Sequence, residues 1–538
     1  MPLDKRYDSV IERKLVLGID VGTTYSGVSF CILDTGGTPE IHSVMRYPGQ
    51  EGDNQVRDTK IPTIVYYDEE GTVRAVGAEA KSHDNRQKAS DEGWVLTEWF
   101  KLHLRPRELA SDDKHLRMLP PNKTVVQILA DFMRYLYKCA KKYISEKDPM
   151  GRQLLQSESN VEFVLTHPNG WGGSQQAKMR RAAVLAGLVP DSDAGQSRIR
   201  FVTEGEANLH YCITNGLTGD VAKADNQLMI VDAGGGTVDL STYRITSTIP
   251  AKAVESIPPD CVMQGSTFVN NRAEQFLRDK LRSSHFGNDE DIQTMLECFE
   301  NSAKPTFRDP TKASYIRFGS VRDTDEQCDI KRGTLSLSGS DMATLFHPSV
   351  SAIEDAMRKQ SSRTGGRINI VLLVGGFAKN EYLRAELQSY AQRFGLSLFY
   401  PDGASGPAKA VAEGALSHYL DDIVSAHVAK FTHGSDCNTR YISSFPSHKT
   451  RQNKIFLGAS GMRLLPDAFL TILPKGTQVS KEEEFQQSFV QKTHTPLNEL
   501  LSNVIRYKGS ERDPQWMDEE PGKHQAKHPV QSSSFEAP

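Results

Sequence analysis

The sequence predicts an α/β protein of two lobes built on a repeated unit, and three observations point there. Two segments, LVLGIDVGTTYSGVSF at residues 15 to 30 and LMIVDAGGGTVDLSTYRI at residues 228 to 245, each run an apolar strand through an Asp and a glycine-rich turn into a second strand. Around them strand-like runs alternate with helix-spaced ones, the pattern of sheets covered by helices. At 538 residues the chain can bury at least two cores.

In chain order, IPTIVYY at 61 to 67 is a β-rich run, and WFKLHL at 99 to 104 sets Lys101 among apolar neighbours. DFMRYLYKCAKKYIS places Phe132, Leu136, Cys139, Tyr143 and Ile144 at helical spacing, and VEFVLTH at 161 to 167 is a buried strand. Ser174 is the expected cap of an Ala-rich helix that stops near Gly187. FVTEGEANLHYCI at 201 to 213 carries Glu204 and Glu206. NIVLLVGGFAKNEYLRAEL at 369 to 387 is a strand, the pair Gly375-Gly376, and a helix capped by Asn380 and ended by Gly395. SGPAKAVAEGALSHYL at 405 to 420 follows. KIFLGA, AFLTILPKGTQVS and EEFQQSFVQ have strand character, and residues 508 to 538, polar and Pro-containing, are expected to be disordered.

The two turns are chemically specific. At Gly22, Gly234, Gly235 and Gly236 a bound anion can approach backbone N–H groups that a side chain would block. Thr23, Thr24 and Thr237 add hydroxyl donors, and Asp20, Asp232 and Asp239 bring carboxylates to the same place. Phosphate alone would repel those carboxylates; a hydrated Mg2+ shared between the two reconciles them. Either segment alone reads equally as a glycine-rich hairpin with capping threonines. Two copies with the Asp in register point to phosphate.

GIDVGTTYSGVSF resembles the first phosphate motif of the seventy-kilodalton heat-shock chaperones and DAGGGTVDL the second, within the wider superfamily of actin, sugar kinases and heat-shock ATPases. NIVLLVGGFAKNEYLRAEL is similar to their adenosine motif, FVTEGEANLHYCI to the first connecting segment and SGPAKAVAEGALSHYL to the second. The five motifs lie in order over residues 15 to 420. Their Gly-Gly-Phe-Ala and Glu-Gly-Glu-Ala stretches look more like the divergent, lid-less heat-shock-like branch of animals and fungi than like the abundant chaperones. The resemblance implies a two-lobed actin-like ATPase fold of duplicated ribonuclease H-like mixed sheets at residues 14–425, with lobe I at 14–222 and 403–425 and lobe II at 226–402. A reduced β-rich substrate-domain-like region would follow at 426–507. ATP or ADP with Mg2+ would lie in the cleft, where hinge closure could report hydrolysis.

It also implies roles. Lys101 and Glu204 would activate water, with Asp232 beside them; Asp20, Asp232 and Asp239 would hold the metal, mostly through water. Gly22, Thr23, Thr24, Tyr25, Gly234, Gly235, Gly236, Thr237, Lys304, Gly375, Gly376, Phe377 and Lys379 would contact the nucleotide. The competing structural readings, weighed below these roles, make Lys101 the solvated member of an amphipathic helix and Glu204 a helix-capping carboxylate. His167 is expected as a turn or core histidine and Trp171 as packing. Three departures from the family pattern stand out. Glu300 and Lys304 are four apart, one more than usual; Gly406-Pro407-Ala408 replaces Asn-Pro-Asp; and Phe377-Ala378-Lys379 replaces Ser-x-Arg. Lysine lacks the planar face of arginine, leaving Phe377 as the candidate to stack on the base.

A sugar kinase needs a carboxylate base, and FVLTHPNGWGGS at 163 to 174, where one is expected, has no acidic residue. An ATPase is favoured over a small-molecule kinase. A net charge of -4 with 25% charged residues gives no basic footprint for nucleic acid. The 7 cysteines are scattered, with no C-x-x-C pair, so neither a disulfide framework nor a zinc site is indicated. MPLDKRYDSVIERK lacks a signal peptide's apolar core, and no apolar run approaches membrane-spanning length; no membrane partner is expected. The cytoplasm is the expected compartment, with the nucleus also open. SAHVAKFTHGSDCNTRY stands where the family has an acidic, Leu-rich linker, and residues 426 to 538 are too few for a peptide-binding sandwich plus helical lid. The leading reading is an ATP-binding, slowly hydrolysing chaperone-like switch with protein clients or co-chaperones as partners. An ATP-dependent scaffold or signalling protein with negligible turnover, or a phosphotransferase, are the alternatives.

Overall fold

The computed structural model describes residues 13–34, 36–51, 59–106, 109, 116–215, 223–400, 410–480, 483–490, 500–520 and 522–532. Gly406-Pro407-Ala408 lies outside the described residues. The chain divides into two units, one of residues 1–252 and 259–423, the other of residues 253–258 and 424–538.

The larger unit holds two sheets of the same design. In the first, β1 (Lys14–Val21) pairs antiparallel with β2 (Tyr25–Leu33), so that Asp20 faces Gly27. After α1 (Val125–Lys147), β3 (Val161–His167) lies parallel to β1 and β4 (Ile199–Thr203) parallel to β3, leading directly into α2 (Glu204–Thr214). In the second, β5 (Gln227–Ala233) pairs antiparallel with β6 (Val238–Thr248), setting Asp232 opposite Asp239. Helices α3 (Ser266–Lys280) and α4 (Gly339–Arg363) precede β7 (Ile368–Val374), parallel to β5. Then α5 (Glu381–Arg393) leads to β8 (Ser397–Phe399), parallel to β7. The orders β2-β1-β3-β4 and β6-β5-β7-β8 are one topology used twice. The repeat legible in the two turns thus extends to whole sheets, a mixed α/β architecture in which helices make the parallel crossovers. Helix α6 (Ala410–Leu420) returns to the first sheet, burying Val411, Ala415 and Leu416 against Val16 and Val164.

The helix-spaced residues of α1 behave as their period requires: Phe132, Leu136, Cys139 and Ile144 are buried, and Thr124 and Gln127 form a capping box. Asn380 caps α5, its Oδ1 accepting the Leu383 N–H at 2.9 Å, and Gly395 follows the helix at φ +68°. The expected cap at Ser174 is corrected. That helix runs Gly173–Leu185 with Gly172 as N-cap, and Gln175 Oε1 reaches back to the Gly172 N–H at 3.2 Å. The glutamine three residues on supplies the cap, so the serine stands inside the first turn.

In the smaller unit, β9 (Val424–Val428) precedes a sheet of β10 (Thr432–Arg440), β11 (Arg463–Leu473), β12 (Leu500–Tyr507) and β13 (His524–Ser532), ordered β11-β10-β12-β13. EEFQQSFVQ departs from its expected strand: residues 483–490 form none and bury no face. The expected disorder of 508–538 is overturned for its described residues. Trp516 is 1% exposed beside Leu465 and Ala468, β13 pairs with β12, and backbone bonds from Phe469 to Gln515 and from Met517 to Asp467, each 2.8 Å, tie the segment down. Composition undercounts a single large aromatic and says nothing of backbone pairing.

Candidate nucleotide-binding site

Each turn is closed by its first glycine: the Gly22 N–H donates to Ser26 Oγ at 3.2 Å, and the Gly234 N–H to the Thr237 carbonyl at 3.0 Å. The turns face one another across the gap between the sheets. A Cβ on Gly235 would run into Thr24, and one on Gly236 would lie 2.6 Å from both Thr23 Oγ1 and Leu102. The N-cap and first residues of α3 hold the second turn, the N–H groups of Gly265, Ser266 and Thr267 donating to the carbonyls of Gly236, Gly234 and Gly235. Gly375 sits at φ +96°, where a Cβ would strike the Asp232 carboxylate, so this backbone can approach only as glycine.

Between the turns lies a cavity of about 360 Å³. It is lined by Asp20, Gly22, Thr23, Thr24 and Tyr25 from the first turn and by Asp232, Gly234, Gly235, Gly236 and Thr237 from the second. Lys101, Glu204, Lys304, Gly375, Gly376, Phe377 and Lys379 complete the set of expected residues on its wall. Asp239 is the one expected residue that does not line it: it is 1% exposed behind Asp232, its Oδ1 accepting the Asn169 N–H at 2.8 Å.

Charge in the cavity is unbalanced. Asp20 accepts from Lys60 Nζ at 2.7 Å and from Thr166 Oγ1 at 3.1 Å. Burial alone would raise its pKa, but the Lys60 and Lys101 cations and these hydrogen bonds outweigh burial and hold the carboxyl below its ordinary value. Asp232 accepts from Asn208 Nδ2 at 2.7 Å, yet burial, then Glu204 and Asp239, push it up to about 8; burial and Glu204 push Asp239 up to about 7. Crowded buried carboxylates beside a cavity walled by glycine turns are the donor set that a hydrated divalent cation fits. Lys101 Nζ lies 2.7 Å from Glu204 Oε1, with the two side chains 5% and 13% exposed, and 5.6 Å from the Trp171 ring centre. Lys101 is therefore neither solvated nor on a helix face; it belongs to a short 3-10 turn, Phe100–Leu104.

The extra residue between Glu300 and Lys304 is absorbed by a π-helical turn, Phe299–Ala303. Such a turn accommodates one inserted residue, and both side chains line the cavity, with Lys304 Nζ 4.0 Å from Glu300 and 2.8 Å from Asn270 Oδ1. Phe377 touches the cavity wall but is corrected as a base-stacking candidate: the residue is 4% exposed and packs in the core of the second sheet, its ring 6.1 Å from that of Phe346. Lys379 is exposed at the cavity rim. His167 is a core histidine, buried between the Pro168 carbonyl and Gln176, with burial lowering its pKa to about 4. Sequence reasoning missed Lys60, Asn208 and Asn169. Asn208 was within reach, since it stands four residues after Glu204 and shares its helix face. Lys60 immediately precedes the run at 61–67, with no local sign that it pairs with Asp20.

No family model matches the chain. Over 566 residues it is 24% identical to the human Heat shock 70 kDa protein 12B, covering 88% of this chain and 78% of that protein. Over 586 residues it is 24% identical to the human Heat shock 70 kDa protein 12A, covering 93% and 82%. The Chaperone protein DnaK of Halobacterium salinarum is 24% identical over 460 residues, 83% of this chain and 63% of that protein. The chain is a divergent seventy-kilodalton heat-shock-like protein. Its mixed α/β sheets are consistent with the actin-like ATPase fold of that group. Among the described residues no helix is long and apolar enough to cross a membrane.

Proposed function

We propose that this heat-shock-like protein binds ATP with Mg2+ between its two glycine turns and hydrolyses it slowly, as a chaperone-like nucleotide switch. The observation that carries this reading is the single cavity onto which two symmetric Asp-turn motifs and the Lys101–Glu204 pair converge. Asp20 and Asp232 would hold the cation through its water shell, and the bound ion would supply charge neutralisation to the phosphates. Lys101 would meet charge that develops on the transferring phosphoryl group, and Glu204 would orient and deprotonate the attacking water. Gly375 and Gly376 would admit the ribose and base to the second sheet, with the Glu300–Lys304 pair beside them.

The phosphotransferase alternative loses ground in the segment where its base would stand. Asn169 occupies that stretch, and its amide is committed to structure: Nδ2 donates to Ser241 Oγ at 2.8 Å and Oδ1 accepts the Gly205 N–H at 3.3 Å. An amide cannot take the acceptor's proton. A scaffold with negligible turnover would use the same cavity. Steady-state phosphate release from purified protein with Mg-ATP decides: measurable release that needs Lys101 supports the switch, and tight nucleotide binding without release supports the scaffold.

A further inference from the structure

Helices α2 and α6 pack together closely because Gly414 has no side chain; a Cβ there would strike the Ala207 carbonyl. His418, four residues beyond Gly414 and so on the same face of α6, is thereby brought onto α2, where Glu206 and His210 stand one turn apart. His418 Nδ1 is 3.3 Å from Glu206 Oε1, and the His210 and His418 rings meet edge to face with centroids 5.1 Å apart. One ligand atom from each of the three lies within 4.8 Å of the other two. Glu206 and His210 are 5% and 0% exposed, whereas the His418 side chain is 19% exposed and gives an entry path.

Two imidazoles and a carboxylate are a zinc-type ligand set. At Zn–ligand bonds of ~2.0–2.1 Å the edge of a coordination tetrahedron is ~3.3 Å, the separation at which His418 and Glu206 already stand. We propose that Glu206, His210 and His418 form a site for a divalent transition metal, Zn2+ by ligand type, that clamps α2 to α6. The site shares no ligand with the cavity: Glu204 and Asn208 of α2 face the carboxylates there, and Glu206 and His210 face α6. Mg2+, which takes oxygen ligands in octahedral array, does not suit it.

The test uses the full chain stripped with a chelator and titrated with Co2+ followed by visible absorption, then challenged with Zn2+. The expected result is one equivalent of Co2+ with the intense bands of low coordination, displaced by Zn2+. His210→Gln and His418→Gln should each weaken binding by at least ~100-fold, since losing even an outer-shell partner costs ~10–100-fold, while Asp232→Asn should retain it. His418→Gln, at the exposed edge, keeps the test decisive if the buried His210 variant does not fold. Absence of such bands in the parent, parental affinity in His418→Gln, or loss of the bands in Asp232→Asn would each overturn the proposal.

Discussion

Replacing Lys101 separates structure from chemistry at the centre of the cavity. Lys101→Ala leaves Glu204, 13% exposed, without its cation in a region where Asp232 and Asp239 already crowd it. Breaking a buried pair from one side costs ~3–5 kcal/mol, and at roughly 2 °C per kcal/mol for a body of this size the melting temperature of the larger unit should fall by ~6–10 °C. Lys101→Met combined with Glu204→Gln removes both charges and keeps the volume, so stability should return to within ~1 kcal/mol of the parent. Hydrolysis should not return. A preorganised donor aimed at developing charge contributes ~3–4 kcal/mol, or ~10²–10³ in rate, so the double variant should bind ATP yet release phosphate at least ~100-fold more slowly. Thermal scans, a fluorescent-nucleotide titration and single-turnover phosphate release measure the three quantities. Parental turnover in the double variant would refute the catalytic assignment, and parental stability in the single variant would refute the buried-pair argument.

Four further outcomes are expected. Asp20→Asn and Asp232→Asn should each leave the fold intact and weaken Mg-ATP binding or turnover at least ~10-fold, read by nucleotide titration with and without Mg2+. Asp232 and Asp239, raised to about 8 and about 7, hold protons more tightly folded than unfolded, so their contribution to the metal-free unit is fully present below the ordinary carboxylate pKa and is lost as pH rises from there through the raised values. Thermal scans in chelator should therefore fall from about pH 4 to about pH 8 and level off above, and added Mg2+ should reverse the fall; a flat profile in chelator would contradict it. Deleting residues 508–538 should leave ATP binding by the larger unit intact but unfold the smaller one, because Trp516 and β13 go with it; limited proteolysis distinguishes the two. Unfolded-peptide affinity, followed by anisotropy, should change less than ~5-fold between ADP and ATP, under ~1 kcal/mol of coupling, since the only α-helix among the described residues of the smaller unit is Pro446–Lys449.

What the sequence made legible was whatever depends on local pattern. Strand-then-turn segments, the Asp register and helix caps such as Asn380 are short-range, and the doubled motif carried the topology of both sheets with it. What stayed hidden depends on partners distant in the chain. Lys60 and Asp20 are 40 residues apart, and Asn169 and Ser241 are 72 apart. The Glu300–Lys304 spacing looked like a misfit because a count of residues assumes an α-helix; the π turn at Phe299–Ala303 changes the geometry, not the partners. Phe377 misled in the same way: its position beside Gly376 is local, but its ring packs with Phe346 on α4, 31 residues earlier in the chain.

The contacts at the floor of the cavity bear on how the two sheets could move. Lys101 and Glu204 both belong to the first half, so their ion pair does nothing to hold the halves together. Among the described residues, contacts that cross at this floor include Asn208 to Asp232, Asn169 to Asp239 and Ser241, and the seating of Gly235 and Gly236 against Thr24 and Thr23, while Arg86 pairs with Glu297 at 2.6 Å away from it. These floor contacts lie beside the two glycine turns. Opening about this floor would separate the walls where Gly375, Gly376 and Lys304 stand while leaving the turns in register. A nucleotide can bias such a motion only through contacts that differ between open and closed states. In the proposed reading those contacts would belong to the walls and to Lys101, which would leave Glu204 to reach a phosphate. The ion pair would then oppose triphosphate binding, and weakening it by Glu204→Gln should tighten that binding in a nucleotide titration even as it removes the carboxylate proposed to activate water.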